Sequence, residues 1–334
     1  MKTILVTGAG GYIGSVGTYE LLKKGYKVIA LDNFSRGYHE PLELLQQKFG
    51  SDLLTIYERS LHDNLDDLFQ KEHPDAVLHY AAFCKVDESM KEPDLYFENN
   101  TLGSLNLLKH MEKNDVKKII FSSTCAVYGE AEYSPVDEKH PTNPTNPYGD
   151  SKRMTEKMIG WHQQLKGWNT IILRYFNVCG ASDDGLIGDS KKPSVLLVQN
   201  AVRGALGIEP FHITSPTVDT PDGSPIRDYI NVVDLNEAHI MSLEHLLKGG
   251  TSEILNLGTG KGNSVKEVVS EVQKVTGKSF PVDTVTPRQG EYASMIANTE
   301  KAQRILGWKS KRSIADSVAA LIPWYGSHPQ GWSR

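Results

Sequence analysis

Residues 3–14 read TILVTGAGGYIG, an apolar run that passes directly into a glycine-rich turn. Gly8, Gly11 and Gly14 are spaced three apart, and glycine permits both a tight turn and a close backbone approach to a ligand. The segment that follows has a helical pattern, and the N-terminus of a helix favours anions through its free N–H groups and its dipole. The stretch therefore predicts a strand, a turn and a helix that bind a phosphate group, although a tight turn without a ligand could use the same glycines.

The second apolar run, KVIAL (27–31), is followed by Asp32. In a nucleotide-binding unit, an acid at the end of the second strand accepts hydrogen bonds from the adenosine ribose and would repel a 2′-phosphate. Asp32-Asn33 could also be a plain turn. Because the glycine turn precedes it, the acid favours a dinucleotide site that takes NAD rather than NADP.

Further apolar runs alternate with helix-length amphipathic segments through the first half of the chain. Runs that are apolar on both faces and separated by helices are typical of a parallel sheet covered on both sides. We therefore predict an α/β fold with a doubly wound parallel sheet of the Rossmann type, whose ligand site lies beyond the carboxyl ends of the strands. The remaining runs are LLTIY (53–57), AVLHY (76–80), KIIFS (118–122) and TIILR (170–174).

The pattern changes after about residue 178. Loop-like segments at 180–193 and 214–225 are rich in Gly, Asp, Ser and Pro. Helical patterns then occur near 233–247, 264–277, 299–306 and 313–325. We predict an NAD-binding domain over 1–178 and a smaller α/β substrate-binding lobe over 179–334, with a segment near 226–247 returning to the first domain.

The composition excludes several classes of function. The chain has 334 residues and a net charge of −5 spread along the sequence, which favours neither nucleic acid nor an anionic membrane as a partner. No apolar stretch reaches the roughly 20 residues that a membrane-spanning helix needs, and the N-terminus lacks the pattern of a signal peptide. The three cysteines, Cys84, Cys125 and Cys179, are widely spaced, which argues against disulfides and a zinc site. We expect a cytoplasmic protein without a metal.

A second motif lies in NPYGDSKRMTEK (146–157). Pro147 suits the first turn of a helix, and Tyr148, Lys152 and Glu156 then share one helix face because they recur every fourth residue. One interpretation is an exposed aromatic ring beside a cation. The other is a phenol made more acidic by a neighbouring ammonium group.

The pairing of TGxxGxxG with YxxxK is the signature of the extended short-chain dehydrogenase/reductase superfamily. Local sequences along nearly the whole chain resemble the UDP-glucose (UDP-galactose) 4-epimerase family within it. They are GGYIGS (10–15), LDNFS (31–35), HYAA (79–82), ENN (98–100), SSTCAVYG (122–129), NPYGDSK (146–152), LRYFNVCGA (173–181), DTPDG (219–223), RDYINVVDL (227–235), LNLGTGKGNSV (255–265) and HPQG (328–331).

The resemblance implies a role for each matching residue. Tyr148 matches the catalytic base, Lys152 the catalytic and cofactor-binding lysine, and Thr124 the hydroxyl that bonds the reacting oxygen of the sugar. The implied substrate-binding residues are Thr124, Tyr148, Asn177, Arg227 and Arg288. The two arginines would hold a diphosphate, although by themselves they could equally form surface ion pairs. The implied cofactor-binding residues are Gly8, Gly11, Tyr12, Ile13, Gly14, Asp32, Asn33, Ser60, Leu61, Tyr80, Ala81, Ala82, Asn99, Ser122, Tyr148, Lys152 and Tyr175.

The resemblance also implies the reaction and the assembly. The expected enzyme is an NAD-dependent 4-epimerase that interconverts UDP-glucose and UDP-galactose through a transient 4-keto intermediate and retains its NAD. The ordinary pKa of a tyrosine is about 10, and we expect Lys152 and the positive nicotinamide ring to lower the pKa of Tyr148 when NAD is bound. The family resemblance further suggests a homodimer formed through two helices of the first domain.

Three alternatives remain. The substrate could be another UDP-sugar, either an N-acetylhexosamine or a pentose. A nucleotide-sugar dehydratase is disfavoured, because Cys125-Ala126 stands where those relatives carry an Asp-Glu pair. A non-catalytic NAD-binding sensor is disfavoured because it has no need of Thr124, Tyr148 and Lys152.

The chain departs from the family pattern at several positions. Cys84-Lys85 stands where many members carry the lysine one position earlier, as a contact to the cofactor phosphates, and Ser60 stands where an acid contacts the adenine. Thr214-Ser215 replaces a Phe-Gly pair whose ring packs on the uracil, and the usual Asn-Leu contacts near Ser194-Val195 are missing. We therefore expect weaker discrimination of the nucleobase than in relatives with the aromatic ring.

Overall fold

The structure of the protein is a computed structural model, which describes residues 1–191, 194–214, 217–285 and 292–333. Each apolar run singled out in the sequence forms a strand of the first half. The strands are β1 Thr3–Thr7, β2 Lys27–Asp32, β3 Leu54–Glu58, β4 Ala76–His79, β5 Lys118–Thr124, β6 Asn169–Tyr175, β7 Asn177–Cys179, β8 His212–Ile213, β9 Ile226–Asn231, β10 Glu253–Leu257, β11 Gly262–Ser264, β12 Asp283–Thr284 and β13 Ser294–Met295.

The helices connect these strands and cover them. A π-helical turn, Phe97–Leu102, leads into α6, and a 3₁₀ turn, Cys125–Val127, follows β5. The α-helices are α1 Tyr12–Lys23, α2 Glu40–Phe49, α3 Asp66–Glu72, α4 Val86–Ser89, α5 Pro93–Tyr96, α6 Gly103–Lys113, α7 Pro147–Lys166, α8 Leu197–Ala205, α9 Val232–Leu247, α10 Val265–Thr276, α11 Glu300–Leu306 and α12 Ile314–Ser327.

The large sheet has both faces buried. In the described part of the chain it contains seven strands, all parallel, in the order β10-β6-β5-β4-β1-β2-β3. Alternate residues of β1 serve opposite faces: Ile4 and Val6 pack with α1 and α9, whereas Leu5 packs with α6 and α7. The predicted doubly wound, Rossmann-type α/β fold is therefore confirmed, because strands apolar on both faces are stable only between two layers of helices.

The strand order fixes where a ligand can bind. The order reverses between β1 and β4, which are neighbours in the sheet. The loops that follow these two strands leave toward opposite faces and open a crevice at the carboxyl edge. The glycine turn after β1 lies at this crevice.

The second half of the chain builds a smaller set of strands and helices around β9. This strand pairs in parallel with β7 and β13 and antiparallel with β11, while β8 pairs with β12. Helices α8, α10 and α12 contribute to a separate core that includes Val202, Val272 and Leu321. The segment α9–β10 returns to the large sheet, where α9 packs on α1 and β10 pairs with β6. The exact division into two domains stays a prediction.

Among the residues that the structure describes, none of the helices combines the length and the apolar content that crossing a bilayer requires.

The glycine turn tolerates no side chain at its third glycine. Gly14→Ala would bring a Cβ atom to 2.1 Å from the carbonyl oxygen of Gly8, a backbone atom that cannot move aside without opening the turn. We expect the free energy of unfolding to fall by about 1–3 kcal/mol or more, as for other overpacked sites. Denaturant titration of the purified variant measures this change.

The matched control is Gly160→Ala in α7. A Cβ atom at Gly160 meets no atom within 4 Å, so this variant should gain up to about 1 kcal/mol from the better helix propensity of alanine. Equal responses of the two variants would contradict the steric argument for Gly14.

Candidate active site

A groove of about 380 Å³ lies at the carboxyl edge of the large sheet, where the strand order reverses. We call it the sheet-edge groove. All but one of the predicted cofactor-binding residues line it, from both sides of the reversal. They are Gly8, Gly11, Tyr12, Ile13, Gly14, Asp32, Asn33, Ser60, Leu61, Tyr80, Ala81, Ala82, Asn99, Tyr148, Lys152 and Tyr175. Ser122 is the residue that does not line the groove.

The turn at the start of α1 fits a pyrophosphate. Gly8 has a φ of +70°, and a Cβ atom there would lie 2.6 Å from the backbone nitrogen of Ala81, so the two loops approach each other as closely as their backbones allow. Gly11 is the N-cap residue of α1, and no side chain caps its first N–H groups. These donors and the helix dipole face the groove and suit an anion.

Asp32 both closes a local turn and lines the groove. Its carboxylate accepts hydrogen bonds from the backbone N–H of Gly10 at 2.9 Å and of Phe34 at 2.8 Å. The second of these bonds closes a local turn, as the plain-turn interpretation predicts. Burial raises the pKa of Asp32 above its ordinary value, against the opposing effect of these hydrogen bonds. The carboxylate also lines the groove, so lone pairs remain for a ribose hydroxyl.

Tyr148 and Lys152 lie together inside the protein. Helix α7 begins at Pro147, and the Asn146 side chain caps it by accepting from the N–H of Gly149 at 2.8 Å. Only 8% of Tyr148 and 3% of Lys152 is exposed. The interpretation of an exposed ring beside a cation is therefore wrong. The ammonium of Lys152 donates to the carbonyl oxygen of Ser122 at 2.8 Å.

The protonation of this pair is set by burial. Burial, followed by the neighbouring Tyr175 and Cys84, raises the pKa of Tyr148 well above its ordinary value, and a hydrogen bond with Thr124 acts in the opposite direction. Burial lowers the pKa of Lys152 to about 8. The chain alone thus keeps the phenol protonated. The lower pKa expected for Tyr148 with NAD bound stays a prediction, and the positive charge of the cofactor would have to supply it.

A buried ion pair that the sequence did not reveal holds α7 in place. Glu156, one turn beyond Lys152, accepts from Arg174 of β6 through Nε at 2.9 Å and Nη2 at 2.7 Å. The Ser123 hydroxyl donates to the same carboxylate at 2.6 Å. The side chains of Glu156 and Arg174 are 1% and 3% exposed. The helical periodicity placed Glu156 on the face of Tyr148 and Lys152, but its partner lies on another element, the strand β6.

Ser122 and Tyr80 are held from beneath the groove by α9. The Ser122 hydroxyl hydrogen-bonds Nε2 of His239 at 2.7 Å, and the Tyr80 hydroxyl donates to the side chain of Asn236 at 2.9 Å. Burial lowers the pKa of His239 to about 4, so this ring is neutral. Ser122 therefore contacts Lys152 through its carbonyl, while its hydroxyl is turned toward α9. No motif in the sequence indicated His239 or Asn236.

A second cavity of about 460 Å³, which we call the lobe cavity, lies among the elements of the second half. Two predicted substrate-binding residues, Asn177 and Arg227, line it together with Thr214 and Tyr229. Thr124 lines neither cavity and is buried beside Tyr148. The predicted residue Arg288 and the departure at Ser215 lie outside the described residues. The described residues contain no group of three or more His, Cys, Asp or Glu side chains that could hold a metal ion.

A groove at the reversal point of a doubly wound sheet, with a buried tyrosine–lysine pair on its wall, defines a class of nucleotide-cofactor enzymes. The chain belongs to the NAD dependent epimerase/dehydratase family, whose model matches residues 4–258. Within that family it belongs with the UDP-glucose 4-epimerases. It is 45% identical to the UDP-glucose 4-epimerase of Halalkalibacterium halodurans, over 99% of this chain and 97% of that protein. The predicted family and its cofactor NAD are thus confirmed.

Solved structures agree with this assignment. The UDP-glucose 4-epimerase from Bifidobacterium longum in complex with NAD+ and UDP has a TM-score of 0.93 at 36% identity, covering 99% of this chain and 100% of that chain. The enzyme from Stenotrophomonas maltophila, with bound NAD and formylated UDP-arabinopyranose, has a TM-score of 0.93 at 32% identity, covering 99% of each chain.

The ion pair beneath the tyrosine and lysine can be tested by removing one partner. Glu156→Ala leaves the Arg174 guanidinium buried without its carboxylate, and breaking such a pair costs about 3–5 kcal/mol. We expect the free energy of unfolding to fall by that amount in denaturant titration.

The control is Glu271→Ala on α10, which removes an exposed pair with Lys274 at 3.2 Å. Exposed pairs of this kind contribute about 0–1 kcal/mol. A loss at Glu156 no larger than the loss at Glu271 would mean that the buried pair does not hold α7.

Proposed function

We propose that the protein is an NAD-dependent 4-epimerase of a UDP-sugar and that it interconverts UDP-glucose and UDP-galactose. The observation that carries the proposal is the pair Tyr148 and Lys152, which are buried together on the wall of the sheet-edge groove. The membership of the chain in the UDP-glucose 4-epimerase family supports the same activity.

NAD, when bound, supplies a reversible acceptor for the hydride at C4 of the sugar. The residues of the chain handle the proton. Tyr148 takes the proton of the 4-hydroxyl as a general base and returns it when the sugar is reduced on its other face. Thr124, which hydrogen-bonds Tyr148, lies where its hydroxyl can bond the reacting oxygen. Lys152, held by the Ser122 carbonyl, keeps a positive charge beside the tyrosine and the cofactor.

The nucleotide of the substrate belongs in the lobe cavity. Arg227 and Asn177 line it, and a guanidinium group binds the two negatively charged phosphates of UDP with directed hydrogen bonds. From the family resemblance we assign Arg288 to the same diphosphate. Thr214 offers no aromatic ring at its place in this cavity, although Phe211 and Tyr229 also line it. The expectation of weaker discrimination of the nucleobase therefore rests on position 214.

A second candidate is the 4-epimerisation of another UDP-sugar. The structure from Stenotrophomonas maltophila contains a UDP-pentose derivative, which favours testing a pentose beside the hexoses. A dehydratase is less well supported, because burial raises the pKa of Cys125 to about 11. A thiol that stays protonated at neutral pH cannot replace the carboxylate of the dehydratases as a base.

The assembly and the compartment complete the proposal. Met154, Trp161 and Leu165 form an exposed apolar stripe on α7, with Trp161 59% exposed, and Leu102 beside α6 is also exposed. Apolar side chains that gather on one surface are typical of an interface, which supports a homodimer formed through these two helices. The three free cysteines support a reducing cytoplasm.

The role of Tyr148 predicts a loss of turnover without a loss of cofactor. Tyr148→Phe removes one oxygen and leaves the ring, so the variant should keep its NAD while turnover falls by about 10²–10⁴-fold, the usual contribution of positioned proton transfer. Tyr133→Phe removes an exposed hydroxyl that bonds Asp137 at 2.7 Å and should keep normal turnover. Near-normal turnover of Tyr148→Phe would leave another group as the base.

The activity itself can be tested with the protein as purified. We expect UDP-galactose to be converted to UDP-glucose with no added NAD, because the cofactor is regenerated in every cycle. Rates with UDP-N-acetylglucosamine and UDP-xylose, measured in parallel, separate the two candidates, and we expect UDP-galactose to give the highest kcat/KM. A protein that turns over only with continuously supplied NAD would contradict the mechanism.

A further inference from the structure

One segment of the second half of the chain lines the sheet-edge groove. Gly188, Asp189, Ser190 and Lys191 line the groove together with the glycine turn at the start of α1. We call these residues the 188–191 segment. The groove is therefore built from both halves of the chain, although the sequence motifs for the cofactor all lie in the first.

The 188–191 segment is fixed from two sides. The Tyr38 hydroxyl, from the loop after β2, donates to the carbonyl oxygen of Ser190 at 2.7 Å. On the other side, Trp324 and Tyr325 of α12 both donate to the carbonyl oxygen of Asp189, at 3.2 and 3.3 Å. These contacts fix the backbone position of Lys191, because Lys191 directly follows Asp189 and Ser190 in the chain.

The Asp189 side chain also serves the segment itself. Its carboxylate accepts from the Ser194 hydroxyl at 2.8 Å and from the backbone N–H of Lys191 at 3.4 Å. Asp189 is 1% exposed. The carboxylate thus stabilises the turn of the segment and does not form an ion pair with the Lys191 ammonium within the described residues.

The Lys191 ammonium lies against a sulfur atom. Its Nζ is 3.3 Å from Sγ of Cys84, and a thiol is a weak hydrogen-bond acceptor. Lys191 forms no ion pair with any of the described residues, and it is only partly exposed. The nearby Asp189 carboxylate acts on the ammonium through its charge. Within the described residues, however, Nζ has no oxygen acceptor at hydrogen-bond distance, so it can still donate to an anionic ligand in the groove.

The cofactor of the family, NAD, carries two phosphates. The uncapped start of α1 lies on the same groove as Lys191, whereas Lys191 is not among the residues that line the lobe cavity. We propose that Lys191 is a cofactor-binding residue, whose ammonium would donate to a phosphate of the dinucleotide. It thereby supplies, from the second half of the chain, the charge that Cys84 does not carry.

Lys85 is the competing candidate for this charge, since it is next to Cys84 and also lines the groove. Its backbone N–H and carbonyl both hydrogen-bond the Tyr96 hydroxyl, at 2.9 and 2.7 Å. The charge of Lys85 acts on Glu88, whose pKa it helps to lower after Arg36 and Tyr96. Lys191 differs from Lys85 in that its ammonium contacts Cys84.

The test compares NAD binding among lysine variants, and it rests on the proposed function only in that the cofactor is NAD. Nicotinamide released on denaturation gives the occupancy of the purified protein, and titration of the NAD-freed protein gives Kd. For Lys191→Met we expect Kd to rise by about ten- to a hundredfold, the loss of one hydrogen bond to a charged group. Lys191→Arg keeps the charge and should stay within about threefold of the parent protein. If Lys191→Met does not fold, Lys191→Gln takes its place, and we expect the same rise in Kd.

The control is Lys274→Met on α10, whose side chain is 76% exposed and pairs only with Glu271 among the described residues. It removes the same charge and should bind NAD normally. The inference is overturned if Lys191→Met and Lys191→Gln bind NAD as the parent protein does, or if Lys85→Met alone reproduces the loss. It is also overturned if the Lys191 variants keep their NAD but need more UDP-galactose, because the lysine then serves the substrate. If the parent protein itself binds no NAD, the proposed function fails as well. The failure of the proposed function can thus be distinguished from the failure of the inference on Lys191.

Discussion

The buried ion pair between Glu156 and Arg174 is the interaction on which the site depends most. It joins α7 to β6 through two hydrogen bonds in a region from which water is excluded. An ion pair at this depth is stable only when its geometry is well satisfied, so it allows α7 little freedom to slide along the sheet. Lys152 and Tyr148 lie one and two turns back from Glu156 on the same face of α7, and their positions follow from that contact.

The chemistry of the site is divided between layers of the fold. The first-half loops supply an uncapped helix terminus and the acid Asp32 to the groove, whereas α7 supplies Tyr148, which we propose to handle the proton. Helix α9, which comes from much later in the chain, supports the groove from below through His239 and Asn236. The 188–191 segment then encloses the groove from the second half. If the cofactor contacts both halves, as we propose for Lys191, more of the chain holds it, which suits an enzyme that reuses one NAD in every cycle.

The candidate site could be predicted from the sequence where its residues are neighbours along the chain. The glycine turn, Asp32 and the pair Tyr148 and Lys152 are each short-range patterns, and sixteen of the seventeen predicted cofactor-binding positions line one groove. Lys191, Arg174 and His239 gave no such signal. Each acts on a partner many residues away, Cys84, Glu156 and Ser122 respectively, and a single sequence records no trace of a contact made only by folding.

The sequence by itself determined the doubly wound sheet, because strands apolar on both faces and separated by helices have one stable arrangement, with helices on each side. It also determined the nucleotide-binding turn, since only glycine fits where backbones approach as closely as Gly14 and Gly8 do. The tertiary structure alone decided whether Tyr148 was an exposed ring or a buried phenol, and it decided which lysines face the groove. Helical periodicity shows which residues share a face but not what that face packs against, and burial, which sets the pKa of Tyr148 and of Lys152, is a property of the whole fold.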